Sequence, residues 1–296
     1  MNLSNLKTNI LVFLSFLLFA LVVIILVLHG YSSTVNGSTT LAEDYFPKLA
    51  TTYNFATVQS NGKTLRYIKT GQYDADSPLI IFVHGAPGSW EAFKSYLADV
   101  DLKRMAQLIS VDRFGYGESD YGQPVTDIGT HANGIREVIL ANPASKVILV
   151  GHSYGGPIVG NMAATYPDLI DGILMVAPVN DPGSEPVRWY AHLSNWSISK
   201  ALLPDYINVC TAEKMNHIEA LQNIKSNWSR IGVPVIHYHG VKDGLAPHDG
   251  NVQFSKRHID ESLLTVVTEK GEGHFILWDK KGTVKSMIID LLVREY

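Results

Sequence analysis

Cysteine is nearly absent. Cys210 is the only one among 296 residues. One thiol forms neither an internal disulfide nor a thiolate metal centre. An excess of charge of one sign is also missing: 24 Lys and Arg stand against 28 Asp and Glu, a net charge of −4. No lysine/arginine run or basic stripe occurs, which excludes nucleic acid or another polyanion as the natural partner. No internal repeat recurs along the chain, which excludes a repeat array. What is present is globular composition, 46% hydrophobic and 18% charged, with ample material for a sizeable core.

The N-terminus holds one long apolar run, "ILVFLSFLLFALVVIILVL", residues 10–28, in which Ser15 is the only hydroxyl and no charge occurs. As a helix it is about 28 Å long, close to the thickness of a bilayer's hydrocarbon. The apolar part of a cleaved signal is usually shorter and is followed by a small-residue cleavage site. An uncleaved transmembrane anchor over residues 1–30 is the expectation, with secretion after signal cleavage as the alternative. Lys7 precedes the run and no Lys or Arg follows until Lys48. The positive-inside rule then places the remainder on the non-cytoplasmic side, periplasmic or extracellular. Residues 31–53, rich in Ser, Thr and Gly, read as a tether.

From residue 54 to 296 the pattern is that of one α/β domain. Two alternating segments flank Asn61-Gly62, a strong hairpin turn pair. Six short apolar runs follow, near residues 78–85, 105–112, 146–152, 172–178, 234–240 and 262–271. Stretches with helical spacing separate most of them. This order predicts a mostly parallel eight-stranded sheet with helices on both faces. The irregular gap at about 181–231, with Trp189, Trp196 and Trp228, reads as a short helical cap over the carboxyl edge of the strands.

Within this frame, "VILVGHSYGG" runs a strand directly into a helix through Ser153. Glycines two before and two after it remove side chains that would collide in so sharp a bend. The helix amino end behind it suits a developing oxyanion. A serine hydroxyl needs a base, and the base needs a carboxylate to fix its tautomer. "HGVKDGLAP" supplies Asp243 beyond a later strand, with Asp249 as a weaker rival. "GEGHF" supplies His274 in a Gly-flanked loop beyond the next strand. His237 and His239 fall inside a strand, and His152, His217, His248 and His258 lack such a loop. The candidate catalytic residues are therefore Ser153, Asp243 and His274. "HGAPGS", residues 84–89, ends the first long strand, and the backbone N–H groups of Ala86 and Tyr154 are the candidate oxyanion donors. Asp112, Arg113 and Ser119 of "DRFGYGESD" read as loop braces. Trp90 and Phe114 are candidate pocket walls, with core packing as the other reading. Cys210 reads as cap packing.

Taken together, "HGAPGS", "DRFGYGES", "GHSYGG", "HGVKDGLAP" and "GEGHF" resemble the α/β-hydrolase superfamily, in particular its capped serine hydrolases of carboxylesterase/lipase-like or aminopeptidase-like type. The resemblance covers roughly residues 55–296. It implies the α/β-hydrolase fold, an acyl-enzyme intermediate formed by Ser153, His274 and Asp243, a small-molecule acyl substrate, and no cofactor or metal. Epoxide hydrolases and haloalkane dehalogenases of this fold carry Asp at the nucleophile position, and this chain carries Ser. Proline-releasing aminopeptidases often carry "HGGPG" where this chain has "HGAPG". A carboxylic-ester hydrolase is the leading expectation. Alternatives are a peptidase or amidase or a C–C bond hydrolase with the same triad, and a catalytically silent binding module.

Overall fold

Alternating apolar residues along the strands fill two cores at once. In the computed structural model, which describes residues 3–71, 75–186 and 189–294, one sheet of eight strands has the order β1-β2-β4-β3-β5-β6-β7-β8. The strands are β1 (Asn54–Ser60), β2 (Lys63–Gly71), β3 (Leu79–Val83), β4 (Gln107–Val111), β5 (Val147–His152), β6 (Gly172–Val176), β7 (Val235–Gly240) and β8 (Leu264–Glu269). Asn61 and Gly62 join β1 to β2 with positive φ of 51° and 75°, the backbone of a tight hairpin turn. β2 pairs antiparallel with β4, and every pair from β4 through β3 to β8 is parallel.

Each central strand is buried on both faces, which is why its sequence is a solid apolar run. Ile81 and Val83 of β3 face one core, while Ile80 and Phe82 face the other. The first core is closed by α3 (Ile128–Ala141) and α4 (Gly155–Thr165) through Ile135, Val138, Ile158 and Met162. The second is closed by α9 (Lys281–Val293) through Val284, Ile288 and Leu291. Each fully buried Ile, Leu or Val contributes roughly 1.5–3 kcal/mol.

α1 (Leu3–Gly30) stands apart. Its segment Asn9–Gly30 has a mean hydropathy of 3.5, none of it is buried, and by length and composition it is able to cross a membrane. Residues 31–53, expected as a tether, are instead packed onto the domain. Ser38 caps α2 (Thr39–Tyr45) by accepting from Leu41 N, and Ala42 and Phe46 are fully buried in the second core. The Gly37 carbonyl accepts from Trp90 Nε1 at 2.6 Å and from Arg66 Nη2 at 2.7 Å. The Ser/Thr content masked a capped helix with an apolar foot.

Between β6 and β7 lie α5 (Trp189–Ser194), α6 (Ser197–Leu202) and α7 (Asp205–Ile224), followed by a 3-10 segment over Lys225–Arg230. α8 (His248–His258) then connects β7 to β8.

Candidate active site

Ser153 sits where β5 stops and α4 begins. Its φ is +53°, in the left-handed region, a conformation that costs a non-glycine residue about 1–3 kcal/mol. Three bonds hold it there: Ser153 N donates to Val176 O at 3.0 Å, and Ser153 O accepts from Gly156 N at 2.9 Å and from Val179 N at 3.3 Å. The flanking glycines fit because nothing larger does. A Cβ on Gly151 would lie 2.3 Å from the Gly155 carbonyl oxygen, and one on Gly155 2.2 Å from the Val83 carbonyl oxygen. The bend thus presses α4 against the end of β3.

His274, in the loop after β8, reaches Ser153 Oγ with Nε2 at 3.0 Å and Asp243 Oδ2 with Nδ1 at 2.8 Å. Asp243 lies just after β7. Its Oδ1 accepts from the amides of Leu245 at 2.8 Å and Ala246 at 2.7 Å. Its Oδ2 also accepts from His239 Nε2 at 3.2 Å. Burial opposes its ionisation, but hydrogen bonds from His239, His274 and the Ala246 amide outweigh that. They hold the carboxyl well below the usual carboxylate range. A carboxylate so fixed keeps the proton of a neutral His274 on Nδ1 and leaves Nε2 as the base facing the serine.

The neighbouring His152 takes no such role. Burial, then the positive charge that His274 would carry, lowers its pKa to about 3. The neutral ring donates from Nε2 to the His274 carbonyl at 3.1 Å, so it steadies the loop that carries His274.

Two cavities meet at the serine. One, about 210 Å³, lies under the cap and includes Tyr154, Ala191, Lys214 and His217 in its wall. The other, about 520 Å³, lies beneath the loop 84–95 and against Phe275 and Trp278. Both are lined by Ala86, Ser153, Leu245 and His274. The loop carrying Ala86 runs close to Ser153: a Cβ on Gly85 would lie 2.9 Å from Ser153 Cβ. Tyr154 is the N-cap of α4, where free amides and the helix dipole favour negative charge.

Trp90 and Phe114 do not line either cavity, contrary to expectation. Both are fully buried. Trp90 stacks on Phe46 at 5.8 Å, in the second core. Phe114 packs against Gly134 in the first core. Adjacency to a motif marked them, but each ring turns away from the cleft towards a helix that the motif could not show.

The loop after β4 is a brace. Asp112 accepts from Trp90 N at 2.9 Å and pairs with Arg66 at 2.8 Å. Burial pushes its pKa up to about 6 although Arg66 opposes this. Ser119 Oγ accepts from Arg66 N at 2.7 Å. Arg113 ties three parts together. It donates to the His84 carbonyl at 2.9 Å and the Gly85 carbonyl at 3.0 Å, and its Nη1 pairs with Glu213 of α7 at 2.5 Å. Burial alone would raise the Glu213 pKa, but Arg113 and His131 bring it down to about 2. The cap is therefore bolted to the loop that carries Ala86.

Several site residues had no usable signal in the sequence. Glu213 lies 100 positions from its partner Arg113. His217 stacks on the Tyr154 ring at 4.4 Å, and burial, then Lys214, lowers its pKa to about 3. Lys214 pairs with Glu185 on the same cavity wall. His239 did have a signal, two histidines at i and i+2 immediately before the loop of Asp243, but strand periodicity masked it.

The alpha/beta hydrolase fold family model matches residues 78–208. The chain has the α/β-hydrolase fold. Solved α/β hydrolases share its architecture. A putative aryl esterase from Burkholderia cenocepacia superposes with a TM-score of 0.64 at 20% identity, over 81% of this chain and all of that one. A membrane phospholipase A, described as a bacterial virulence factor, superposes with a TM-score of 0.62 at 16% identity, over 95% and 99% of the two chains. These likenesses concern the fold. Among curated proteins, epoxide hydrolase 1 of Caenorhabditis elegans is 29% identical over 164 residues, 52% of this chain and 39% of the relative. Epoxide hydrolase 3 of Mus musculus is 28% identical over 136 residues, 45% and 35%. The match thus spans two fifths or less of the length of these relatives.

Proposed function

We propose that this α/β hydrolase cleaves carboxylic esters through an acyl-enzyme intermediate. The observation that carries the reading is the unbroken hydrogen-bonded series Ser153 Oγ, His274, Asp243, at 3.0 and 2.8 Å. In the first half-reaction His274 Nε2 takes the serine proton as Oγ bonds to the ester carbonyl carbon. The carbonyl oxygen becomes an oxyanion, held by the amides of Ala86 and Tyr154. The C–O bond to the alcohol then breaks, and His274 returns the proton to the departing alkoxide. Water repeats the sequence on the acyl-serine and releases the acid.

The two curated relatives described above carry the name epoxide hydrolase, and the chemistry of the nucleophile speaks against that activity here. A carboxylate that opens an epoxide forms an ester, which water can cleave. A serine would form an ether, which it cannot. The solved aryl esterase and phospholipase folds accord with ester cleavage. α1 serves as the membrane anchor, with the catalytic domain on the non-cytoplasmic side.

Hydrolysis of short-chain nitrophenyl esters by the full chain in detergent tests the proposal. Ser153→Ala should lower kcat by on the order of 10⁴-fold or more. A variant that keeps its wild-type rate removes the proposal. Resistance of the full chain to salt extraction from membranes tests the anchor, and release into the soluble fraction removes it.

A further inference from the structure

The cap carries an apolar face on its outside. Trp189, Leu193, Trp196, Ile198 and Leu202 are all exposed, Trp189 by 73% and Ile198 by 75%. They lie on the consecutive short helices α5 and α6 and the turn between them. Single exposed apolar side chains are ordinary, but this many in so short a stretch form a patch.

Two hydrogen bonds fix the position of that patch relative to α1. Tyr206 Oη, at the start of α7, donates to the Leu28 carbonyl at 2.9 Å. His29 Nε2 donates to the Leu202 carbonyl at 3.1 Å. Leu28 and His29 belong to the last turn of α1. The apolar segment Asn9–Gly30 has 22 residues, about 33 Å of helix against about 30 Å of hydrocarbon. With the segment spanning a bilayer, its last turn lies among the lipid headgroups, and so do the cap residues bonded to it. α6 has six residues and is about 9 Å long, which keeps Trp196 and Ile198 close to the same depth. Tryptophan is enriched at that depth, where its ring meets acyl chains and its N–H meets water.

The same helix roofs the catalytic cavity. Ala191 of α5 is 6% exposed and lines the cavity over Ser153. Trp189 and Leu193 stand two positions to either side, about 200° around the helix, and so face the opposite way. A single helix separates the exposed apolar face from the cavity.

We propose that the outer face of α5 and α6 rests in the headgroup layer of the membrane that α1 spans, and that the enzyme takes its ester from this lipid surface. The proposal rests on the ester-hydrolase reading and on α1 remaining attached.

The test uses the full chain reconstituted into phosphatidylcholine vesicles, with plain lipid or with lipid brominated on the acyl chain near the headgroup. Bromine quenches only tryptophan that touches it. Trp90 and Trp228 are fully buried and stay bright, and Trp278, 41% exposed, is present in both proteins and contributes the same background to each. The wild type should lose at least twice as much emission as Trp189→Phe/Trp196→Phe. The double variant should also cleave a vesicle-embedded ester several-fold more slowly while keeping its rate on a soluble short-chain ester. Protein that floats with the vesicles and is quenched equally with and without the two tryptophans overturns the proposal. Protein that does not float overturns it by removing the anchor. Absence of hydrolysis on both esters overturns the ester-hydrolase reading, a result distinct from either.

Discussion

His239 and His274 share one oxygen of Asp243: Nε2 of the first lies 3.2 Å from Oδ2 and Nδ1 of the second 2.8 Å. His239 Nε2 also faces the Ala246 carbonyl at 2.9 Å. With two acceptors before it, Nε2 carries the proton and Nδ1 is an acceptor. His237 Nε2 donates to that Nδ1 at 3.0 Å, and Ser255 Oγ donates to His237 Nδ1 at 2.8 Å. The Asp243 carboxylate is thus held from inside the sheet by an oriented series of donors. Replacing His239 by Leu should lower kcat about tenfold and, by leaving His237 without an acceptor, cost about 1–3 kcal/mol in stability. His239→Gln, which keeps a donor, should recover much of kcat. Steady-state kinetics beside urea unfolding separates the two effects, and equal kcat in Leu and Gln variants would deny His239 any hold on Asp243.

Buried neutral histidines give the fold an acid weakness. Burial lowers the pKa of His84, His131, His152, His217 and His237 in the folded state. The unfolded chain takes up protons at these sites below about pH 6.5, and the folded chain does not. Their stabilising contribution is therefore complete above pH 6.5 and falls as the pH drops through it, by up to about 1.4 kcal/mol per pH unit for each. Urea midpoints measured from pH 7.5 to pH 5 should decline, with net proton uptake on unfolding. A flat profile contradicts the assignment.

The Arg113–Glu213 pair joins two fully buried charges. Removing one partner strands the other. Glu213→Gln should destabilise by about 3–5 kcal/mol. The double replacement Arg113→Met/Glu213→Leu should destabilise less than the more harmful single one, because no lone charge remains buried. A thermal-denaturation cycle measures this. Additive losses would show that the two groups act independently. Activity should fall in both singles, since Arg113 also holds the carbonyls of His84 and Gly85.

Gly155 in the bend after Ser153 and Gly282 on α9 should respond oppositely to alanine. Gly155→Ala places a Cβ 2.2 Å from the Val83 carbonyl, whereas nothing lies within 4 Å of a Cβ on Gly282. The first should abolish accumulation of folded protein or cost several kcal/mol. The second, in the first turn of α9, should be neutral or stabilise by up to about 1 kcal/mol. Expression yield and melting temperature of the two variants decide the matter.

The sheet was legible because buried parallel strands must be apolar on both faces, and the runs near 78–85 and 146–152 had no other use. That Ser153, His274 and Asp243 meet at the strand ends was legible because a strand–bend–helix needs glycine and because strand order tells where a carboxylate and an imidazole can meet it. The packing of 31–53 was hidden, since Phe46 joins the core by stacking on Trp90, which is remote in sequence. The directions of Trp90 and Phe114 were hidden for the same reason. Glu213 was unreadable, because a lone acid on a cap helix gains meaning only when Arg113 is brought against it.

Mass spectrometry after treatment of the full chain with a fluorophosphonate tests the central claim most directly. A strained serine within reach of an imidazole should be phosphonylated in stoichiometric yield on the peptide containing Ser153, and His274→Ala should suppress that labelling. An unmodified Ser153 peptide in folded wild-type protein, or equal labelling in the His274→Ala variant, would contradict the account.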